Sequence, residues 1–193
     1  MEIYALKISN YSYQGEKISY KFLKFLIKSY EKGHEFELDF GCYGKPFLVN
    51  SSLEFNISHS AQWVVCAINN NSIGIDIEKI KKINYEGISK RFFTKQEHEL
   101  ICSDITINKL NLFYKIWTLK ESYIKEQGKG FSIPMNSFEI KFMDEKNLSQ
   151  IEINNTKKFC KTYESISGYI ISVCSKDVNF PDYIKIYQME DIC

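Results

Sequence analysis

Apolar residues along the chain either alternate with polar residues or recur every three to four positions, and each pattern predicts a type of secondary structure. Alternating or continuous apolar runs predict strands at 1–8, 36–40, 63–68, 73–77, 138–142, 151–153, 169–173 and 184–186. Helical spacing and end signals predict helices at 21–30 (stopped by Gly33), 95–102 and about 108–127. Strands and helices in this mixed, often hairpin-like order predict an α+β fold rather than a doubly wound parallel sheet.

Composition narrows the class of protein. The chain has 193 residues, of which 44% are hydrophobic and 25% charged, as in soluble globular proteins. A formal net charge of +1 argues against a charge-driven grip on nucleic acid or on a membrane. No apolar run reaches the roughly 18–20 residues of a membrane span, and the start lacks signal-peptide features, so we expect a cytoplasmic protein. The six cysteines are widely spaced, which predicts free thiols.

The predicted strand at 73–77 carries a pair of carboxylates. Alternation places its isoleucines on one face and Gly74, Asp76 and Glu78 on the other. Acids two residues apart on a strand lie about 7 Å apart at Cα, close enough to share one hard cation. Gly74 beside them is expected to leave room for a ligand. The alternative is an ordinary strand with two solvated acids, because so short a motif is common.

A third acid, Glu121, lies on the longest predicted helix. Spacing of three and four residues places it in one row with Phe113, Trp117 and Ile124. A carboxylate in an apolar row needs a cation, a metal ion or a retained proton. Lys125, at i+4, could be that cation in an ordinary helix-stabilising pair.

The segment from Phe55 to Ser60 is dense in hydrogen-bonding groups. Its Ser58 hydroxyl and His59 ring suit a phosphate oxyanion, although a turn with a capping serine and a satisfied histidine explains them as well. Upstream, the turn from Tyr43 to Pro46 projects Lys45.

Six short motifs follow one another along the chain. They are G-K-P at 44–46, F-N-I-S-H-S at 55–60, G-I-D-I-E at 74–78, R-F-F-T at 91–94, W-T-L-K-E-S at 117–122 and G-K-G at 128–130. Each is weak alone, but in this order and spacing they resemble the 4′-phosphopantetheinyl transferases of the surfactin-synthetase-activating (Sfp) type. The resemblance covers about residue 43 to the C-terminus.

The resemblance implies a reaction and an architecture. The phosphopantetheine arm of coenzyme A would move to a serine of an acyl or peptidyl carrier protein, releasing 3′,5′-ADP in a Mg²⁺-dependent step. The family fold is a pair of pseudo-twofold-related α+β halves with the coenzyme at their junction. Here these would be residues 1–73, shortened relative to the family, and 74–193, which carry the metal site. The subtype is monomeric, and neither nucleic acid nor a membrane is an expected partner.

The resemblance also assigns roles to the three acids and to Lys125. Asp76, Glu78 and Glu121 would hold Mg²⁺. Glu121 would also accept the serine proton, directly or through a water. Lys125 would act in catalysis and pair with the pyrophosphate.

Further coenzyme contacts follow by the same resemblance. Lys45, Ser58 and His59 would hold the adenosine and phosphate end of coenzyme A, and Lys120 would share the phosphate environment. A basic stretch could help a carrier protein to dock; it comprises Lys79, Lys81, Lys82, Lys90 and Arg91. A solvated loop explains that stretch equally well.

The N-terminal part departs from the family pattern. The family usually carries there a basic helix that contacts the coenzyme's 3′-phosphate, and Lys17, Lys21 or Lys24 could supply that charge here. We therefore expect weaker binding of coenzyme A than in longer relatives.

Two other functions remain open at this point. One is a catalytically silent relative that binds coenzyme A or a carrier protein. The other is a different Mg²⁺-dependent phosphate enzyme that uses the same three acids. The sequence does not distinguish peptide-synthetase, polyketide-synthase and fatty-acid carriers as partners.

Overall fold

A computed structural model describes residues 1–8, 15–30, 35–143, 147–153 and 155–192. Its helices are α1 (Gly15–Tyr30), α2 (Tyr85–Phe92), α3 (Lys95–Cys102) and α4 (Lys109–Gln127). Its strands are β1 (Glu2–Lys7), β2 (Leu38–Phe40), β3 (Pro46–Leu48), β4 (Glu54–Ser60), β5 (Trp63–Asn69), β6 (Ile73–Lys79), β7 (Lys141–Phe142), β8 (Leu148–Ile153), β9 (Thr156–Tyr163), β10 (Tyr169–Ser175) and β11 (Lys185–Gln188). The α+β class predicted from the sequence is confirmed.

The first sheet has the strand order β11-β1-β5-β4. β1 pairs in parallel with β11 and antiparallel with β5, which in turn pairs antiparallel with β4. One face is covered by α1, whose buried side chains include Phe22, Leu23 and Leu26. These residues recur every three to four positions because that spacing keeps them on one side of a helix.

The second sheet has the order β6-β10-β9-β8-β7, with antiparallel neighbours. Helix α4 packs on it and shares a core with Cys160, Ile170 and Cys174. The isoleucines of β6 point the other way, into a core shared with β1, β5 and β10. The alternation predicted for residues 73–78 therefore separates a fully apolar face from the face that meets α4.

The functional region lies where the edges of the two sheets meet. β4 is the last strand of the first sheet and β6 is the first strand of the second. Side chains join them, since the Asn56 Oδ1 atom accepts from the backbone N–H of Ile75 at 2.9 Å. The predicted division into two halves at residue 73 coincides with the start of β6. Strand β11 comes from the C-terminal part but belongs to the first sheet, so the division into two halves stays a prediction.

Several element predictions need correction. The first helix begins at Gly15 rather than Lys21, because Ile18 already packs one turn before Phe22; its predicted stop, Gly33, lies outside the described residues. The strand predicted at 36–40 is only Leu38–Phe40. Strand β4 was not predicted, because Asn56 and Ser58 are polar but buried, so the strand lacks the usual pattern of buried apolar residues.

The strand predicted at 138–142 is also shorter, covering only Lys141–Phe142. Side chains form hydrogen bonds with the backbone groups that would otherwise pair with a neighbouring strand. The Phe138 carbonyl accepts from the Lys120 ammonium at 2.6 Å, and the Ile140 N–H donates to the Glu97 carboxylate at 2.9 Å. Helix α2 and strand β9 were not predicted either, since few apolar residues mark them.

Two predictions from composition can be compared with the structure. Cys66, Cys160 and Cys174 are buried free thiols, while Cys42 is exposed and also free; Cys193 lies outside the described residues. None of the described helices combines the length and apolar character that crossing a bilayer requires.

Candidate active site

The centre of the site is the Asp76 carboxylate on β6. Its Oδ1 atom accepts from the Lys125 ammonium at 2.6 Å and from the Ser58 hydroxyl at 2.9 Å. The Lys125 ammonium also donates to the Ser58 hydroxyl oxygen at 2.8 Å, so the three groups form a closed triangle. β4, β6 and α4 each supply one member, which makes the triangle a junction of both sheets and the long helix.

The other oxygen of Asp76, Oδ2, is buried and has no hydrogen-bond partner within the described residues. A buried carboxylate oxygen ordinarily has a partner, because desolvating it without one is unfavourable. Asp76 itself is only 4% exposed. This oxygen is therefore the natural place for a cation that the protein does not itself provide.

Glu78 lies two residues along the same face of β6. Its carboxylate accepts from the Ser60 hydroxyl at 3.1 Å. Burial and the neighbouring Asp76 raise the pKa of Glu78 above its ordinary value. A carboxylate in this situation gains from any positive charge placed beside it.

Glu121 on α4 is the third acid. Burial, first of all, and the charges of Asp76 and Glu78 raise the pKa of Glu121 to about 7. The described residues show no ion pair between Glu121 and Lys125, because the Lys125 ammonium is held by Asp76. The ordinary i,i+4 pair considered for Glu121 is therefore wrong for this structure.

Gly74 has a different role from the one expected. A Cβ atom at this position would lie less than 3.0 Å from the Ser122 carbonyl oxygen and from the backbone N and Cα of Glu126. The space beside Gly74 is filled by the backbone of α4 and does not admit a ligand. The glycine instead lets the helix approach β6 closely enough to bring Glu121 and Lys125 to Asp76.

A cavity of about 230 Å³ opens beside Glu121 and Lys125. Its lining comprises Tyr43, Lys45, Asn56, Ile57, Glu121, Ile124, Lys125, Gly128 and Gly130. The Lys45 ammonium donates to the carbonyl oxygens of Ile73 at 3.0 Å and Glu126 at 3.2 Å. Burial lowers the pKa of Lys45. The structure thus brings Lys45 and Lys125 to one cavity.

Ser58 and His59 are neighbours in sequence but point to different surroundings. Ser58 is 7% exposed, and its hydroxyl is engaged with Asp76 and Lys125, while His59 is exposed. The turn considered for this segment is wrong, because residues 54–60 form strand β4. Alternate residues of β4 face β6, which is why Ser58 and Ser60 reach the acids and His59 does not.

Comparison with known proteins shows which family this sequence belongs to. Residues 72–174, more than half of the chain, match the family model described as the 4′-phosphopantetheinyl transferase superfamily. The chain belongs to the 4′-phosphopantetheinyl transferase superfamily. The match begins at β6 and contains all three acids and Lys125.

The curated proteins that resemble this phosphopantetheinyl transferase in sequence include members of the Sfp type. The chain is 40% identical over 153 residues to 4′-phosphopantetheinyl transferase Sfp of Bacillus subtilis (strain 168), covering 78% of this chain and 67% of that protein. It is 45% identical over 156 residues to 4′-phosphopantetheinyl transferase gsp of Aneurinibacillus migulanus, covering 78% and 63%. The chain therefore spans about two thirds of the length of the curated relatives it matches.

Among solved structures, a holo-[acyl-carrier-protein] synthase of Thermotoga maritima aligns with a TM-score of 0.44 and 15% identity, over 53% of this chain and 61% of that chain. That likeness is too distant to add to the assignment.

Lys120 does not belong to the site of this transferase. Its side chain is fully buried on another side of α4, where the ammonium pairs with Glu97 at 2.9 Å. The carbonyl oxygens of Met135 and Phe138 accept from it at 2.8 and 2.6 Å. Adjacent helix positions diverge by about 100°, so Lys120 and Glu121 cannot share one environment. The predicted role of Lys120 at the phosphates is corrected to a structural one.

A second cavity of about 460 Å³ lies on the other side of Glu121 in the transferase. Its lining comprises Arg91, Phe92, Trp117, Glu121, Ile124, Ile133, Pro134, Met135 and Asn136. Glu121 and Ile124 line both cavities. The second cavity is mostly apolar and was not predicted, because its walls come from α2, α4 and the segment after α4, and only the fold brings these together.

The residues present fit a hard divalent cation by the chemistry of their donors. Asp76 has a buried oxygen without a partner, and the pKa values of Glu78 and Glu121 are raised partly by nearby negative charge. Carboxylate oxygens are the ligands that Mg²⁺ prefers. Within the part of the chain that the structure describes, no three His, Cys, Asp or Glu side chains lie close enough together to hold one ion.

Proposed function

We propose that this member of the family moves the phosphopantetheine arm of coenzyme A onto a serine of an acyl or peptidyl carrier protein and releases 3′,5′-ADP. The observation that carries the proposal is the position of Glu121 between two cavities of different chemistry. A substrate that joins a phosphate-rich nucleotide to an extended arm needs such a pair of cavities, with the reacting phosphate where they meet. We further propose a cytoplasmic monomer.

The two ends of coenzyme A fit different walls. The cavity with Lys45 and Lys125 suits the nucleotide and its pyrophosphate, because ammonium groups make strong, charge-assisted hydrogen bonds to phosphate oxygens. His59, exposed nearby on β4, can donate to an outer phosphate, whereas Ser58 orients Lys125 and Asp76. The apolar cavity beside Trp117 suits the pantetheine arm.

Asp76, Glu78 and Glu121 are the residues that would hold Mg²⁺. When bound, the ion would neutralise charge on the pyrophosphate as its bridging bond breaks. Lys125, whose ammonium donates to Asp76 and which lines the same cavity as Lys45, would be the group that contacts the pyrophosphate.

The transfer exchanges one phosphorus–oxygen bond for another. The carrier serine oxygen bonds to the phosphorus that bears the pantetheine arm, and the bond from this phosphorus to the bridging oxygen breaks, so that 3′,5′-ADP leaves. Glu121 accepts the serine proton, directly or through a water. Glu121 suits this role by its position, because it lines both cavities and so lies where the serine and the reacting phosphate would meet.

The carrier protein would dock beside the apolar cavity. Lys81, Lys82, Lys90 and Arg91 are exposed around α2, and Arg91 and Phe92 also line that cavity. The Arg91 guanidinium lies over the Phe92 ring at 5.1 Å from its centre. A basic surface next to the arm suits an acidic carrier helix by electrostatic complementarity.

The test is mass spectrometry of purified apo carrier proteins after incubation with the protein, coenzyme A and Mg²⁺. The panel includes peptide-synthetase, polyketide-synthase and fatty-acid carriers. We expect each accepted carrier to gain one phosphopantetheine arm. The Glu78→Gln variant should lose this activity, whereas Glu99→Gln, an exposed acid on α3, should retain it.

Two other outcomes would overturn the proposal. Binding of coenzyme A without transfer to any carrier would indicate a silent relative. Release of phosphate from coenzyme A or nucleotides without a carrier would indicate a different phosphate enzyme.

A further inference from the structure

A third ion pair with little exposure lies outside the site described above. The cavity lined by Lys45 and Lys125 is called the coenzyme cavity below. The Glu126 carboxylate at the end of α4 accepts from the Lys158 ammonium of β9 at 2.7 Å. The Glu126 side chain is 1% exposed and the Lys158 side chain 14%. The Gln127 amide donates to the other carboxylate oxygen of Glu126 at 2.6 Å, so both oxygens have partners.

The backbone of Glu126 contacts the site from the same position. Its carbonyl oxygen accepts from the Lys45 ammonium at 3.2 Å and from the Ser72 hydroxyl at 2.9 Å. Its backbone N and Cα face Gly74, two residues before Asp76. Lys125, which holds Asp76, is its neighbour in sequence. One residue thus links β9 to both lysines of the coenzyme cavity.

We propose that Glu126 and Lys158 are positioning residues for coenzyme binding. By fixing the end of α4 against β9, the pair sets where the Glu126 carbonyl holds Lys45 and where Lys125 stands relative to Asp76. The inference rests on the proposed function, because it concerns how that coenzyme cavity is held in shape. Neither residue touches the coenzyme in this account.

The chain offers a matched control for this pair. Glu97 is as buried as Glu126, at 3% exposed for each residue, and it also pairs with a buried lysine, Lys120, at 2.9 Å. Glu97 lies in α3 and lines neither cavity of the site. Replacing either glutamate by glutamine leaves a buried lysine without its counter-charge, so both variants should lose stability.

The experiment measures coenzyme A binding by calorimetry and steady-state transfer kinetics at a temperature where every variant is folded. We expect Glu126→Gln to weaken coenzyme binding about tenfold or more, the scale typical of losing an outer-shell partner. Its KM for coenzyme A should rise by a similar factor with a smaller change in kcat. Glu97→Gln should match the wild type in both. Lys158→Arg, which keeps the positive charge opposite Glu126, should retain most of the wild-type affinity.

Double variants distinguish a loss of coenzyme binding from a loss of folding. Because Lys158→Gln removes the unpaired charge left by Glu126→Gln, the double variant should fold and still bind coenzyme A weakly. In a Lys45→Met background, Glu126→Gln should weaken binding by clearly less than it does alone, because its effect passes through Lys45.

Coenzyme binding by Glu126→Gln, or by the double variant, equal to that of Glu97→Gln would refute the positioning role. Failure of the wild type to bind coenzyme A would instead refute the proposed function.

Discussion

Replacing Gly74 by alanine tests the close approach on which the site depends. The added Cβ atom would lie less than 3.0 Å from three backbone atoms of α4, at Ser122 and Glu126. Backbone atoms of a helix cannot rotate away as a flexible side chain can. The helix and β6 must therefore separate, which disrupts the packing on both sides of the contact.

The size of the effect follows from this geometry. Overpacking a core typically costs about 1–3 kcal/mol, and contacts with backbone place Gly74→Ala at or above the upper end, about 3 kcal/mol. For a protein of this length, that corresponds to a fall in Tm of roughly 6–12 °C. Asp76 and Glu78 follow on the same strand, so their separation from Glu121 should change and transfer activity should fall as well.

Thermal unfolding followed by circular dichroism, with Gly41→Ala as the matched control, measures this effect. A Cβ atom at Gly41 would meet only the Lys45 carbonyl oxygen, at an ordinary 3.6 Å. We expect Gly41→Ala to stay close to the wild-type Tm. Equal Tm values for the two variants, or full transfer activity in Gly74→Ala, would refute the reasoning.

Three further predictions follow from charged groups. Lys120→Met should lower the free energy of unfolding by about 3–5 kcal/mol in chemical denaturation, because Glu97 would be buried unpaired, whereas Lys95→Met, in an exposed pair, should change it by less than about 1 kcal/mol. The pKa of Glu121 is raised in the folded state to about 7 from 4.5, so the stabilisation by protonated Glu121 is present at low pH and is lost as pH rises to about 7. In the metal-free protein, Glu121→Gln should flatten this fall in stability. An unchanged pH profile of stability would contradict the burial of Glu121. Adding Mg²⁺ should raise Tm at neutral pH, and Asp76→Asn should abolish that increase; an equal increase in both proteins would place the ion elsewhere.

The sequence predicted those parts of the fold that depend on local pattern. Helix α3 begins where the Thr94 capping box places it, and α4 ends at Gly128, which adopts the left-handed conformation predicted for a helix stop. The isoleucines of β6 are all buried on one face, as their alternation indicates. These features require only neighbouring residues, so one sequence suffices to find them.

The remainder depended on contacts between distant segments. Gly74 was expected to leave space for a ligand, and only the packing of α4 shows what fills that space. Lys125 was considered as a partner for Glu121 because both lie on one helix, yet Asp76 of β6 holds it. Lys120 stands next to Glu121 in sequence but binds Glu97 of α3. In each case a partner from another element decides the role, and no local pattern identifies that partner.

The parallel pairing of β1 with β11 has a consequence for the order of folding. Tyr4 lies opposite Lys185 in this ladder, so β1 is paired with a strand that lies far away along the chain. Such distant pairings raise the contact order, and loop-closure entropy makes them slow. β1 can pair with β5 first, but its other edge stays open until β11 pairs with it. An open strand edge favours intermolecular association. A folding intermediate in which β1 is paired only with β5 would therefore expose an aggregation-prone edge, and chaperone binding would matter most for that intermediate.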